Sequence, residues 1–312
     1  LVSSLIAANE KLMTMKEYDG DPVTMTLIGD FAQLPPVKDT YAFERDEWVY
    51  FEGANTTVLQ EFRRQTDMDF VKALQAARRG QAKEALEYFE PFLVDNKSLD
   101  YKGTTLLGIN KHVDRVNAMR LQDIPGDYIE YESRREGEQP GSWKKIPDTL
   151  ALKEGCLVMI LVNRRESETD FLHVNGDTGI FLGDDFGQAV VRLNRTGGEV
   201  SVHRHVTECK VPKPKRNEKT GKIVDGKFEY EIVGTIDYMP LRVAYATSVH
   251  KAQGLTLDNV QVCFGNDWFF KTPGMMYVGL SRVRSSKGLR LVGFAEQFEA
   301  RCVVEEKVRR WL

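Results

Sequence analysis

Apolar positions recur at helix and strand spacing, in alternation, along most of the chain. Leu1, Leu5, Ala8 and Leu12 share one face of a helix over 1–15, and Val23 to Gly29 reads as a buried strand ending at Asp30. Asp67 is placed to cap a helix whose apolar face is Phe70, Val71, Leu74 and Ala77 and which stops at Gly80. A second helix through Ala85, Leu86 and Phe89 is ended by Pro91. Thr104 to Gly108 is a short strand, and Asn110 then caps a helix bearing Val113 and Val116. Such alternation predicts a parallel α/β sheet, with chemistry gathered at the carboxyl ends of its strands.

Between about 150 and 235 the texture changes. Short alternating runs (Cys156–Val162, Gly179–Leu182, Ala189–Leu193, Val200–His203) are separated by turn sequences at Asn175-Gly176-Asp177, Gly183-Asp184 and Gly197-Gly198. This pattern predicts a small β-barrel. From Leu241 the α/β rhythm returns, with strands at Val260–Phe264 and Leu289–Val292 and a terminal helix. The barrel is therefore expected as an insertion into an α/β domain.

Composition adds limits. The 312 residues are 42% hydrophobic and 29% charged, ordinary for a globular chain of two or three domains. No apolar run approaches the roughly 20 residues that span a bilayer, so no membrane partner is expected. Leu1 stands inside a helical pattern, which suggests a trimmed or partial chain. Cys156, Cys209, Cys263 and Cys302 form no CxxC pair and read as reduced thiols of a cytoplasmic or nuclear compartment. His203-x-His205-x₃-Cys209 offers three metal ligands without a fourth, so no metal site is assigned. The net charge of −3 says little about nucleic acid, which needs a local basic groove. The densest cationic stretch, Lys210 to Lys227 with Lys213, Lys215, Arg216, Lys219 and Lys222, reads as a loop, either plain solvated surface or a DNA-backbone contact.

Four stretches carry candidate chemistry. In Gly29-Asp30-Phe31-Ala32-Gln33-Leu34-Pro35-Pro36-Val37, the two prolines restrict the chain behind Gln33 and hold its amide at a sheet edge. Leu59 to Asp67 contains Arg63-Arg64-Gln65 just before a helix, and a guanidinium fork suits phosphate oxygens. Thr247 to Thr256 sets a hydroxyl, an imidazole, an ammonium and an amide at a helix start, where free N–H groups favour phosphates. Tyr277-Val278-Gly279-Leu280-Ser281-Arg282-Val283-Arg284 ends an apolar helix in arginine. Together these resemble motifs III, IV, V and VI of the superfamily 1 DNA helicases that move 5′ to 3′, the RecD-like and Pif-family enzymes. The resemblance runs from residue 1 to about 294, and Phe43, Trp48 and Leu59 also match family positions. The chain has no phosphate-binding loop and no Asp-Glu magnesium motif. Reading Asp30 as a magnesium carboxylate fits less well than motif III, since no catalytic glutamate follows it.

The resemblance implies RecA-like motor domains. Residues 1–95 would end the first, 96–175 with 236–312 would form the second, and 176–235 would be the inserted barrel. It implies ATP and Mg²⁺ as cofactors, with the magnesium ligands upstream of this chain, and single-stranded and duplex or fork DNA as partners of a monomer. Arg282 would be an arginine finger, with Arg64 and Gln33 beside it as catalytic groups. Gln253, Gly254 and Gln65 would face the nucleotide, while Thr247, His250 and Lys251 would face the DNA backbone. Arg63 replaces the family's phenylalanine and Met275 its glutamine. The implied activity is ATP-driven translocation and unwinding, with this chain alone inactive. A non-catalytic nucleic-acid-binding subunit, or the helicase section of a relaxase or of a RecD nuclease subunit, is the alternative.

Overall fold

The computed structural model describes residues 5–7, 10–11, 24–59, 61–95, 101–168, 170–216 and 223–312. Most of the helix expected over 1–15 lies outside them. Along the chain we number helices α1 (Met68–Arg78) and α2 (Ala82–Phe89), strand β1 (Thr104–Leu107), helix α3 (Asn110–Gln122), and strands β2 (Arg134–Gly137), β3 (Leu157–Ile160), β4 (Thr178–Asp185), β5 (Gln188–Leu193), β6 (Glu199–Val202), β7 (His205–Arg216), β8 (Ile223–Tyr238), β9 (Leu241–Val243) and β10 (Ala246–Ser248). Then follow α4 (Val249–Ala252), β11 (Val260–Cys263), α5 (Met275–Leu280), β12 (Leu289–Val292) and α6 (Ala295–Arg301). No helix among the described residues is long and apolar enough to cross a membrane.

The chain forms two compact units. The first comprises Leu1–Asp95, Phe264–Ser281 and Gly293–Leu312. The Asp67 carboxylate accepts from the amides of Asp69 (3.0 Å) and Phe70 (3.3 Å), so α1 starts where the sequence places it. Its buried face, Phe70, Val71, Leu74 and Ala77, packs against α2, and Phe89 of α2 meets Phe298 of α6 at 5.8 Å between ring centres. A second aromatic cluster surrounds Phe31. Its ring lies 4.8 Å from Phe43, 5.5 Å from Trp48 and 5.4 Å from Trp311, in edge-on or tilted geometry. The strand expected at Val23–Gly29 is not formed over its described part, 24–29, which is unpaired, with Ile28 91% exposed. A parallel strand needs neighbours distant in sequence, and no described strand lies beside this one.

The second unit comprises Asn96–Cys263 and Arg282–Val292. Its centre is a parallel sheet in the order β12-β11-β1-β10. β1 and β11 are buried on both faces, as continuous apolar runs of a covered parallel sheet must be. α3 begins at Asn110, but its N-cap is Ile109 and no side chain caps it, which corrects the expected Asn110 cap. Val113 and Val116 are buried as expected. Residues 129–243 are then spent on antiparallel strands before the parallel sheet resumes at β10.

Five of those strands form an antiparallel sheet in the order β6-β5-β4-β3-β9. The sheet reaches beyond 176–235, recruiting β3 and β9, because both pair antiparallel with strands of this sheet rather than with β1. The expected turn at Gly183-Asp184 is instead in β4; the chain reverses at Phe186-Gly187, both with positive φ. A second correction concerns the cationic stretch. Lys210 to Arg216 is not a loop but part of β7, paired with β8 from His205↔Tyr238 onward, and β2 adds a third strand. Pro212 and Pro214 are tolerated because β7 is an edge strand. Lys219 and Lys222 lie outside the described residues.

The units also divide the C-terminal half differently from the expected 236–312 block. α5, α6 and the last turn go with the N-terminal segment because α5 packs on α1, α6 on α2, and Val308 joins the cluster of Tyr41, Phe43 and Trp48.

Candidate functional site

In the first unit, Asp30 ends the unpaired segment and organises the turn behind it. Its Oδ1 accepts from the Ala32 amide at 3.1 Å, and its carbonyl accepts from the Gln33 amide at 3.1 Å. Arg78, from the last turn of α1, donates from Nη2 to Oδ1 at 2.9 Å and from Nε to both oxygens at 3.2 and 3.3 Å. The Tyr277 hydroxyl of α5 donates to Oδ2 at 3.2 Å. The carboxylate is thus saturated by protein donors, which fits a structural motif III aspartate better than a magnesium ligand. The turn presses on the start of α5. A Cβ at Gly274 (φ +74°) would stand 2.3 Å from the Gln33 carbonyl and 2.5 Å from that of Ala32, so only glycine fits.

Motif IV reaches the other end of α5. Arg64 Nη1 donates to the Ser281 carbonyl at 2.8 Å, and buried Gln65 donates to the same oxygen at 3.4 Å. Arg63 instead points to solvent in an ion pair with Glu61, its side chain 88% exposed. Of the adjacent arginines, Arg64 is the one built into the fold. The first unit therefore gathers Gln33, Arg64 and Gln65 around one helix. Leu59 is exposed, whereas Phe43 and Trp48 are buried.

The second unit holds the rest. β10 leads into α4, where the Ser248 hydroxyl accepts from the Lys251 amide at 3.4 Å. Only one turn long, α4 leaves His250 and Lys251 exposed side by side, with Gln253 exposed after them. Gly254 has φ +83°, which reverses the chain after that turn. Thr247 departs from the expectation of a DNA-facing group. It is buried, and its hydroxyl accepts from Arg242 Nη2 at 3.3 Å. Arg242 is itself largely desolvated, which lowers its pKa below the usual guanidinium value.

Arg282 departs from the expectation of an open arginine finger: it is only 3% exposed. Its Nη1 donates to the carbonyls of Ala252 and Leu255, each at 3.2 Å, and its own carbonyl accepts from the Leu257 amide at 2.8 Å. Motif VI is thereby stapled to the end of motif V. The Asn117 amide of α3 clamps Ala246 at the start of β10 through two bonds, of 2.8 and 3.0 Å.

Sequence reasoning missed two arginines. Arg78 resembles any last-turn helix cation, and nothing local signals its carboxylate partner. Arg242 did leave a signal, a lone cation within the apolar run Leu241–Val243, where burial demands acceptors. Among the described residues, no group of three or more His, Cys, Asp or Glu could hold a metal ion.

The herpes helicase family model, described as "Helicase", matches residues 218–293. The ATP-dependent DNA helicase Pif1 of Bdellovibrio bacteriovorus is 33% identical over 278 residues, covering 86% of this chain and 57% of that protein. The ATP-dependent DNA helicase PIF1 of Xenopus laevis is 30% identical over 286 residues, covering 87% of this chain and 41% of its own length. The chain thus spans about half the length of the curated relatives it matches. A crystal structure of Bacteroides Pif1 bound to ssDNA aligns with a TM-score of 0.61 and 25% identity, over 98% of this chain and 71% of that one. With that likeness the parallel sheet of the second unit is a RecA-like α/β core. Matched in sequence along most of its length and in fold by solved Pif1 structures, the chain belongs to the Pif1 family of helicases.

Proposed function

We propose that this chain supplies the motif III to motif VI portion of an ATP-dependent DNA helicase that translocates 5′ to 3′ on single-stranded DNA and opens duplex or forked DNA. The observation carrying this reading is the bonding of the motif VI arginine to the end of motif V: Arg282 donates to the carbonyls of Ala252 and Leu255, each at 3.2 Å, within the second unit. A motor needs such linkage, because the groups that sense a γ-phosphate must move the groups that grip DNA. A bare binding module has no use for it.

In this reading Arg282 and Arg64 stabilise charge on the transferred phosphoryl group, and Gln33, Gln65, Gln253 and Gly254 relay nucleotide state. ATP supplies the free energy when bound. Mg²⁺ would be held elsewhere, since the Asp30 oxygens are taken by Arg78, Tyr277 and the Ala32 amide. His250 and Lys251 grip the DNA backbone, and Thr247 supports them from within through Arg242. The expected partition stays a proposal: residues 1–95 close the first motor domain and the parallel sheet is the second. The antiparallel sheet is the inserted small barrel, drawn wider than 176–235. The protein acts as a monomer in a reducing intracellular compartment, where Cys156 and Cys302 stay protonated because burial pushes their thiols up to about 11 and about 12.

Lys251→Ala tests the DNA side. In the full-length protein it is expected to weaken single-strand binding about fivefold, the scale of one exposed charge contact. It should also lower DNA-stimulated ATPase at sub-saturating DNA while leaving turnover at saturating DNA intact. Unchanged affinity by fluorescence anisotropy would remove Lys251 from the DNA face.

The β7–β8 hairpin is the second proposed contact. Lys213 already pairs with Glu231, and Lys210 lies 2.8 Å from Glu208, so among the described side chains of this stretch Lys215 is the cation we assign to phosphate. Lys215→Gln should flatten the plot of log affinity against log salt by about 0.7 on single strands. Lys213→Gln should change it less. Equal slopes in both variants and the parent would make the hairpin ordinary surface.

A further inference from the structure

We propose that Arg78 and Tyr277 are positioning residues for the Gln33 turn, acting through the Asp30 carboxylate. The proposal rests on Gln33 being the amide that relays nucleotide state. Asp30 holds the turn's backbone, with its side chain on the Ala32 amide and its carbonyl on the Gln33 amide. What Asp30 cannot fix is the direction in which the whole turn faces. That falls to two side chains from different helices. Arg78 grips the carboxylate with two nitrogens from α1, and Tyr277 takes Oδ2 from α5. The two charged side chains are only 21% and 18% exposed, so the pair is shielded from the solvent screening that makes surface ion pairs weak. The third constraint is Gly274, whose missing Cβ lets the Ala32 and Gln33 carbonyls rest on the start of α5. The turn is thus referenced to the same helix whose far end, at Ser281, receives Arg64 and Gln65. A fork on a carboxylate fixes orientation as well as distance, which one ammonium does not do.

An ordinary structural ion pair would share these distances, so the test reads coupling rather than loss. In the full-length protein, DNA-stimulated kcat, KM for ATP, single-strand Kd and melting temperature are compared for Gln33→Ala, Arg78→Ala, Tyr277→Phe and the double variants with Gln33→Ala. Arg78→Ala is expected to lower kcat about tenfold with KM and Kd nearly unchanged, as displacing a positioned group by a fraction of an ångström does. In the Gln33→Ala background the same change should cost less than about twofold, since residues of one network are not additive. Tyr277→Phe should follow the same pattern with a smaller effect. Arg78→Lys, which keeps the charge without the fork, should recover only part of the loss. Multiplying losses in the double variant, or a fall in melting temperature with kcat intact, would overturn the proposal. Should Gln33→Ala alone leave turnover unchanged, the relay role of Gln33 fails, and the proposal falls with it for that separate reason.

Discussion

Arg282→Ala in the full-length protein is expected to lose at least about 10³-fold in DNA-stimulated ATP hydrolysis, the lower end of what an arginine finger contributes in phosphoryl transfer. The geometry adds a second consequence. The Arg282 guanidinium holds the carbonyls of Ala252 and Leu255, so its removal takes the side-chain donor from the Leu255 carbonyl, while the Ala252 carbonyl keeps the Leu255 amide at 3.0 Å. A lost hydrogen bond to a charged group costs about 1.5–3 kcal/mol, and this is expected to appear as reduced stability. Single-strand affinity should fall by no more than about fivefold, because His250 and Lys251 remain on the α4 turn that Ser248 caps. Arg282→Lys should also fail, since one ammonium cannot hold two carbonyls and a phosphate in a planar array.

The largest effect on folding is expected from Phe43→Ala. Phe43 is buried, edge-on to Phe31 at 4.8 Å and stacked on Tyr41 at 5.0 Å, with Trp311 at 5.4 Å. Emptying that position should destabilise the protein by about 3–5 kcal/mol, the usual cost of deleting a buried aromatic ring. Because Phe31 lies between Asp30 and Gln33, the cavity should also loosen the motif III turn. Denaturant unfolding with matched ATPase measurements checks both, and a loss below about 1 kcal/mol would mean the cluster collapses around the gap.

The two predictions draw on different layers of what the sequence made legible. Elements dictated locally were readable. Asp67 caps α1 through its own side chain, and the apolar runs of β1 and β11 are buried on both faces as their composition demands. Elements that depend on distant partners were not. Val23–Gly29 has the composition of a buried strand, yet its described part pairs with none of the described strands, and pairing is what makes such a segment a strand. Lys210–Arg216 looked like a loop because prolines and lysines dominate it, but an edge strand accepts both. At the candidate site, motif spelling proposes Gln33, Arg64, Lys251 and Arg282. It carried no information on the bonds that join them. That Thr247 faces inward follows from Arg242, and that Asp30 is saturated follows from Arg78 and Tyr277, residues outside any motif or far along the chain. Residue identity shows which groups have chemistry; only packing shows what each is turned toward.

We propose that Arg282 serves the nucleotide while His250 and Lys251 serve the DNA. Steady-state ATPase with saturating single-stranded DNA, measured beside equilibrium DNA binding on Arg282→Ala and Lys251→Ala, tests it most directly. Opposite signatures are expected: Arg282→Ala binds DNA nearly normally and does not turn over, while Lys251→Ala turns over once DNA is saturating but binds it more weakly. An Arg282→Ala protein that hydrolyses ATP at the parent's rate while releasing DNA would contradict it.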